Sequence, residues 1–182
     1  MRKREKIFFS VSFFVAFFLF AFIFLGFRLG FNVTDSMPMG IYLQSSNIKN
    51  IKIGDVVSFC PKDKFISIYL ERNYVRLKKD GFCGDERPLF IKKIIAQKGD
   101  TVEVKDHTVF INSKKIPRSF LFDTDENGLV LEHLPDGYRH ELTENEFFCF
   151  GTGNERALDS RYYGIIHRDQ IKFKSKILME VK

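Results

Sequence analysis

Apolar and polar positions divide this chain into two unlike parts. From Ile7 to Phe27 there is no charge, and only Ser10 and Ser12 are polar. A helix rises about 1.5 Å per residue, so this run covers the ~30 Å of a bilayer's hydrocarbon core. The pattern predicts an uncleaved transmembrane helix over residues 7–27. A cleaved secretory signal has a shorter apolar stretch, of ~7 to 15 residues, and a small-residue cleavage site that Leu25-Gly26-Phe27 does not supply.

Beyond Arg28 the pattern becomes short-ranged. Ile41 to Leu43, Val56 to Phe59, Phe90 to Ala96, Thr101 to Val104, Thr108 to Ile111, Phe147 to Phe150 and Ile171 to Met179 are β-branched or aromatic runs, separated by Gly, Asp, Asn and Pro. Phe65 to Leu77 is the nearest approach to a helical period. Lys98-Gly99-Asp100 and Asn112-Ser113-Lys114 carry turn chemistry, which predicts a meander of antiparallel hairpins. The polar, turn-rich stretch 119–139 reads as an insertion beside the sheet. The expected fold is mainly β, an antiparallel sheet or barrel-like body over residues 28–182 behind one N-terminal transmembrane helix.

Charge sets the expected topology. Arg2, Lys3, Arg4 and Lys6 oppose a single Glu5, and such a flank stays in the cytoplasm. Residues 1–6 are then cytoplasmic and 28–182 extracytoplasmic. The net charge of +6 sits partly in this flank, and no basic stripe or aromatic platform for nucleic acid occurs elsewhere. In a compartment that permits disulfides, Cys60 and Cys83, each beside a turn residue, are expected to pair, and Cys149 reads as a buried strand thiol. His107, His133, His140 and His167 lack metal-site spacing, so neither a metal nor another cofactor is expected.

Four segments carry candidate chemistry: 32–40, 53–57, 91–100 and 151–164. A serine hydroxyl needs a neighbouring base to act as a nucleophile. A lysine can be that base only where an apolar setting favours its neutral amine, and Ile91, Ile94 and Ile95 flank Lys92. Lys92 and Lys93 are neighbours on a strand and point to opposite faces, so only one can serve.

Taken in order, these segments resemble the type I signal peptidase family, in particular its TraF-like conjugative transfer branch, over nearly the whole chain. Ser36-Met37-Pro38 follows the apolar helix closely, as that family's Ser-Met-Pro motif does. Pro38-Met39-Gly40-Ile41-Tyr42 looks like the TraF branch. Lys92 to Asp100 resembles the lysine box, with Lys93 where Arg is usual and Lys98 where Pro is usual. Residues 151–164 resemble the Gly-Asp-Asn box, closing in Asp159-Ser160-Arg161. Ala157 stands where housekeeping members have a serine that supports the lysine.

The resemblance implies a membrane-bound serine endopeptidase with a Ser-Lys dyad, Ser36 as nucleophile and Lys92 as general base, or Lys93 if the alignment is one residue out. It implies an oxyanion hole from the Ser36 N–H and the Thr34 hydroxyl. Asp159 and Arg161 are expected as a supporting ion pair that orients the lysine strand. The substrates would be leader peptides of exported precursors, pilin subunits among them, and the partners the inner-membrane lipid and conjugative or type IV secretion components. The alternatives are a housekeeping signal peptidase and a noncatalytic anchored component of a secretion channel.

Overall fold

The computed structural model describes residues 3–75, 81–84 and 87–181. Arg2 of the basic flank, Leu77 of the expected helical stretch and Lys182 lie outside them. The apolar run folds as α1, Lys3–Phe24. Its window Ile7–Phe24 has a mean hydropathy of 2.7 and no buried residue, so the helix is long and apolar enough to cross a membrane. It stops three residues before Phe27, the expected end. Gly26 adopts φ +77°, donates its N–H to the Ile23 carbonyl at 2.9 Å and accepts from Ser46 N at 2.9 Å. This left-handed glycine ends the helix, and Phe27 opens a strand.

Among the described residues the chain beyond α1 forms two antiparallel sheets. The first contains seven strands, β1 (Phe27–Asn32), β2 (Gly40–Ser45), β3 (Val56–Phe59), β4 (Phe90–Ala96), β9 (Glu146–Phe150), β10 (Ile166–His167) and β11 (Ile171–Glu180). Their order is β1-β2-β11-β3-β4-β9-β10. The second has the order β7-β6-β5-β8, with β5 Thr101–Lys105, β6 Thr108–Ile111, β7 Lys114–Phe120 and β8 Arg139–Glu141. All the expected strands are present. β7 was not expected because it pairs through its backbone while exposing Lys114, Lys115, Pro117 and Arg118, so no apolar alternation marks it.

Two-residue turns with positive φ at Asp106-His107 and at Asn112-Ser113 join β5, β6 and β7 into the expected meander. The turn at residues 97–100 behaves differently. It leads from the first sheet into the second instead of closing a hairpin, because Gly99 N–H goes to the Leu142 carbonyl and Leu142 N–H to the Asp100 carbonyl, both at 2.9 Å. The irregular stretch 121–138 connects β7 to β8 at opposite edges of the second sheet.

One core, with Val57, Phe59, Phe90, Ile94, Phe147, Cys149 and Ile171, underlies the seven-stranded sheet. The short helix α2, Asp63–Glu71, presses Ile66 and Tyr69 into it. This helix and α3, Ser160–Tyr163, make the body mainly rather than wholly β. A second core, with Val102, Val104, Val109, Leu121 and Phe148, fills the smaller sheet. Cys60 and Cys83 are joined by a disulfide, whereas Cys149 is a buried free thiol.

Candidate active site

Ser36 stands in the loop between β1 and β2, and the end of β1 shapes that loop. The Asn32 amide donates to the carbonyls of Thr34, Met37 and Pro38 at 2.9, 3.0 and 3.1 Å, and its Oδ1 accepts from the Thr34 hydroxyl at 3.0 Å. From β2, the Tyr42 hydroxyl donates to the Pro38 carbonyl at 2.7 Å. Met37 is buried with Tyr42 and Ile91 in a small third core. The loop is thus anchored on both sides of Ser36, whose own side chain stays partly exposed.

Lys92 comes from β4, where it faces Val57 of β3 in register. Its alternate neighbours Phe90 and Ile94 share its face, and the residue is only 5% exposed. Nζ lies 5.7 Å from the centre of the Phe90 ring and donates to Ser36 Oγ at 2.9 Å. The apolar surroundings differ from those expected. Ile94 contributes, but Ile91 packs with Met37 and Tyr42 on the other face and Ile95 lies against the second core. Lys93 opposes Val56 and Phe150. Burial lowers the Lys92 amine to about 8, against the opposing pull of Asp159, Cys149 and Asp35, with Arg161 reinforcing the fall.

β9 leaves its pairing with β4 after Phe150, and the Ser36 loop comes in just beyond. Gly153 N–H donates to the Ser36 carbonyl at 3.1 Å. A Cβ on Gly151 would come within 2.9 Å of that same carbonyl, and one on Gly153 would collide with the Asp35 carbonyl. Asn154 Nδ2 donates to Asp35 Oδ2 at 2.6 Å.

Asp159 and Arg161 are wholly buried and paired through two bonds, Nε to Oδ1 at 2.8 Å and Nη2 to Oδ2 at 2.9 Å. The other guanidinium hydrogens reach the carbonyls of Phe120, Glu155 and Ala157 at 2.8 to 2.9 Å, so all five donors are used. Asp159 Oδ2 accepts from Gly151 N–H at 2.9 Å. Neither side chain hydrogen-bonds to β4. The pair clamps the 151–159 loop that carries the Ser36 loop, where the expectation was that it orients the lysine strand.

The residues assemble a hydroxyl beside a desolvated amine, on a loop that Gly151 and Gly153 let pack closely against the chain beyond β9. The family described as signal peptidase, peptidase S26 matches residues 3–179. The chain belongs to that family. Of the proteins that this chain resembles, the plasmid transfer protein TraF of Escherichia coli is 32% identical over 142 residues, covering 77% of this chain and 76% of its own. The conjugal transfer protein TraF of Agrobacterium tumefaciens is 31% identical over 137 residues, 73% of this chain and 72% of that one. Signal peptidase I of Bacillus licheniformis is 29% identical over 92 residues, 48% of this chain and 50% of its own.

Within this S26 chain the fold brings Ser36, Lys92 and Thr34 together, the last with Oγ1 3.3 Å from Ser36 Oγ. It sets Asp159 and Arg161 behind them and holds Cys60 and Cys83 elsewhere. Asn32, Gly151, Gly153 and Asn154 had no role assigned from the sequence. Their signal was the pair of motifs they lie in, but only the packing of one motif on the other shows what each does.

Proposed function

We propose that this S26 peptidase is a Ser-Lys serine endopeptidase that removes leader peptides from exported precursors, pilin subunits of a conjugative system among them. The observation that carries the reading is the 2.9 Å contact between Lys92 Nζ and Ser36 Oγ in a site whose burial lowers the amine from 10.5 to about 8. That amine accepts the Ser36 hydroxyl proton as Oγ attacks the scissile carbonyl carbon. The oxyanion is stabilised by the Ser36 N–H and by the Thr34 hydroxyl, which here donates to Asn32 and lies 3.3 Å from Ser36 Oγ. As the C–N bond breaks, the Lys92 ammonium returns the proton to the departing amine. Lys92 then takes a proton from a water that attacks the acyl ester, and returns it to the departing Ser36 oxygen, which restores the hydroxyl and the neutral amine.

The membrane helix α1 holds the site near the lipid surface. The basic flank supports a cytoplasmic N-terminus, and the Cys60–Cys83 disulfide supports an oxidising, extracytoplasmic location for the body. The match to the plasmid and conjugal transfer proteins over about three quarters of their length supports the conjugative role. The test is processing of a panel of radiolabelled precursors by the full-length protein in membranes, with Ser36→Ala as control. Cleavage of a pilin precursor by the wild type alone supports the reading. Equal cleavage of unrelated leaders marks a housekeeping enzyme, and cleavage by the Ser36→Ala protein ends the assignment.

A further inference from the structure

The second sheet carries a cluster of side chains that the protease chemistry does not use. His107 occupies the β5–β6 turn, and Asp123 and His133 lie in the stretch between β7 and β8. One ligand atom from each lies within 4.8 Å of both others. His107 Nε2 is 3.3 Å and His133 Nε2 2.9 Å from the same oxygen, Asp123 Oδ1. Ligands bound at ~2.0 to 2.1 Å in a tetrahedron stand about 3.3 Å apart, so these two separations are near those of a formed zinc site.

The atoms behind the imidazoles strengthen the case. His107 Nδ1 lies 2.8 Å from Asp136 Oδ2, and His133 Nδ1 lies 2.8 Å from the Leu134 carbonyl. Both acceptors lack a proton to give, so each Nδ1 donates; each Nε2 faces Asp123 Oδ1, to which it donates while no ion is bound, and it turns its lone pair to a metal when that proton is displaced. A carboxylate or carbonyl behind a ligating histidine is the usual outer support of a metal site.

The backbone holds the same atoms in place. His107 sits at φ +53°, its N–H donates to Asp136 Oδ1 at 2.8 Å and its carbonyl accepts from Leu121 N at 2.7 Å. The Asp123 carbonyl accepts from Leu131 N at 2.8 Å. The Asp123 side chain is 71% exposed, which leaves a solvent-facing side for a fourth ligand.

We propose that His107, His133 and Asp123 bind a divalent transition ion of the zinc class, with Asp136 as outer support. Two nitrogens and one carboxylate oxygen suit Zn²⁺ better than Mg²⁺ or Ca²⁺, which prefer all-oxygen shells. The ion would pin the 121–138 stretch to the β5–β6 turn.

The test is calorimetric titration of Zn²⁺ into the full-length, chelator-stripped protein in detergent. The expected result is one equivalent bound by the wild type and by a His140→Ala control, with affinity at least about tenfold lower for His133→Ala and Asp123→Asn. Absence of stoichiometric binding, or binding that survives both substitutions, overturns the proposal. A second measurement needs no variant. Zn²⁺ should shield His107 and His133 of the wild type from diethyl pyrocarbonate, read by mass spectrometry, while His140 and His167 react as before; equal labelling of all four with and without Zn²⁺ overturns it.

Discussion

The Asp35 carbonyl occupies the place that a side chain on Gly153 would need, and Gly153 N–H donates to the next carbonyl, that of Ser36, at 3.1 Å. The two motifs, 117 residues apart in the chain, therefore meet backbone to backbone. Gly153→Ala should push the Ser36 loop away from Lys92 and lower kcat/KM by roughly 10- to 100-fold, because displacements near 1 Å cost that much in positioned chemistry. Steady-state cleavage checks this, with circular dichroism to show that the sheets persist.

Thr34 tests the oxyanion assignment. Replacing its hydroxyl by a methyl group in Thr34→Val should lower kcat by about 100-fold or more with little change in KM, since one donor aimed at developing charge is worth that much. Thr34→Ser should retain most of the rate. Equal rates for the valine and wild-type proteins would remove Thr34 from the mechanism.

The buried Asp159–Arg161 pair predicts an asymmetric response. Arg161→Met strands a carboxylate in the interior and should cost about 3 to 5 kcal/mol, whereas adding Asp159→Asn should recover part of that loss. Denaturant unfolding of the single and double variants measures the difference. Both variants should be poorly active, because the Gly151 N–H that Asp159 accepts lies in the 151–159 loop, against which the Ser36 loop packs.

Lys92 links catalysis to stability. Its folded-state value of about 8 lies below the 10.5 of a free lysine. Below about pH 8 both folded and unfolded chains hold the proton, and the folded state bears the whole penalty of burying it. As pH rises from about 8 to about 10.5 the unfolded chain holds the extra proton, so the fold gains stability. Lys92→Met should therefore be more stable than the wild type at pH 7, by roughly 3 kcal/mol, and the gap should close near pH 10.5. Urea unfolding of the two proteins across that range measures it.

Much of this was legible in the sequence where periodicity or motif spelling carried it. The uncharged run from Ile7 to Phe27 announced α1, and alternation in Phe90 to Ala96 already separated Lys92 from Lys93. β7 was hidden because its exposed Lys114, Lys115 and Arg118 leave no apolar alternation. The sheet crossing at residues 97–100 was hidden because a Gly-Asp turn looks alike in a hairpin and in a crossover. Burial of Asp159 and Arg161 could not be told from a surface pair, since spacing says nothing about which carbonyls complete the guanidinium shell. The meeting of His107 with His133 depends on how the 121–138 stretch folds back, which no local spacing encodes.

The most direct test of the uncharged-amine base is the pH dependence of kcat/KM for precursor cleavage by the full-length protein, from about pH 6 to 10. The rate should rise with pH through one deprotonation near about 8 and then level, because only the neutral Lys92 can take the Ser36 proton. A rate flat across this range, or one that climbs only at the ordinary lysine value near 10.4, would contradict an uncharged-amine base.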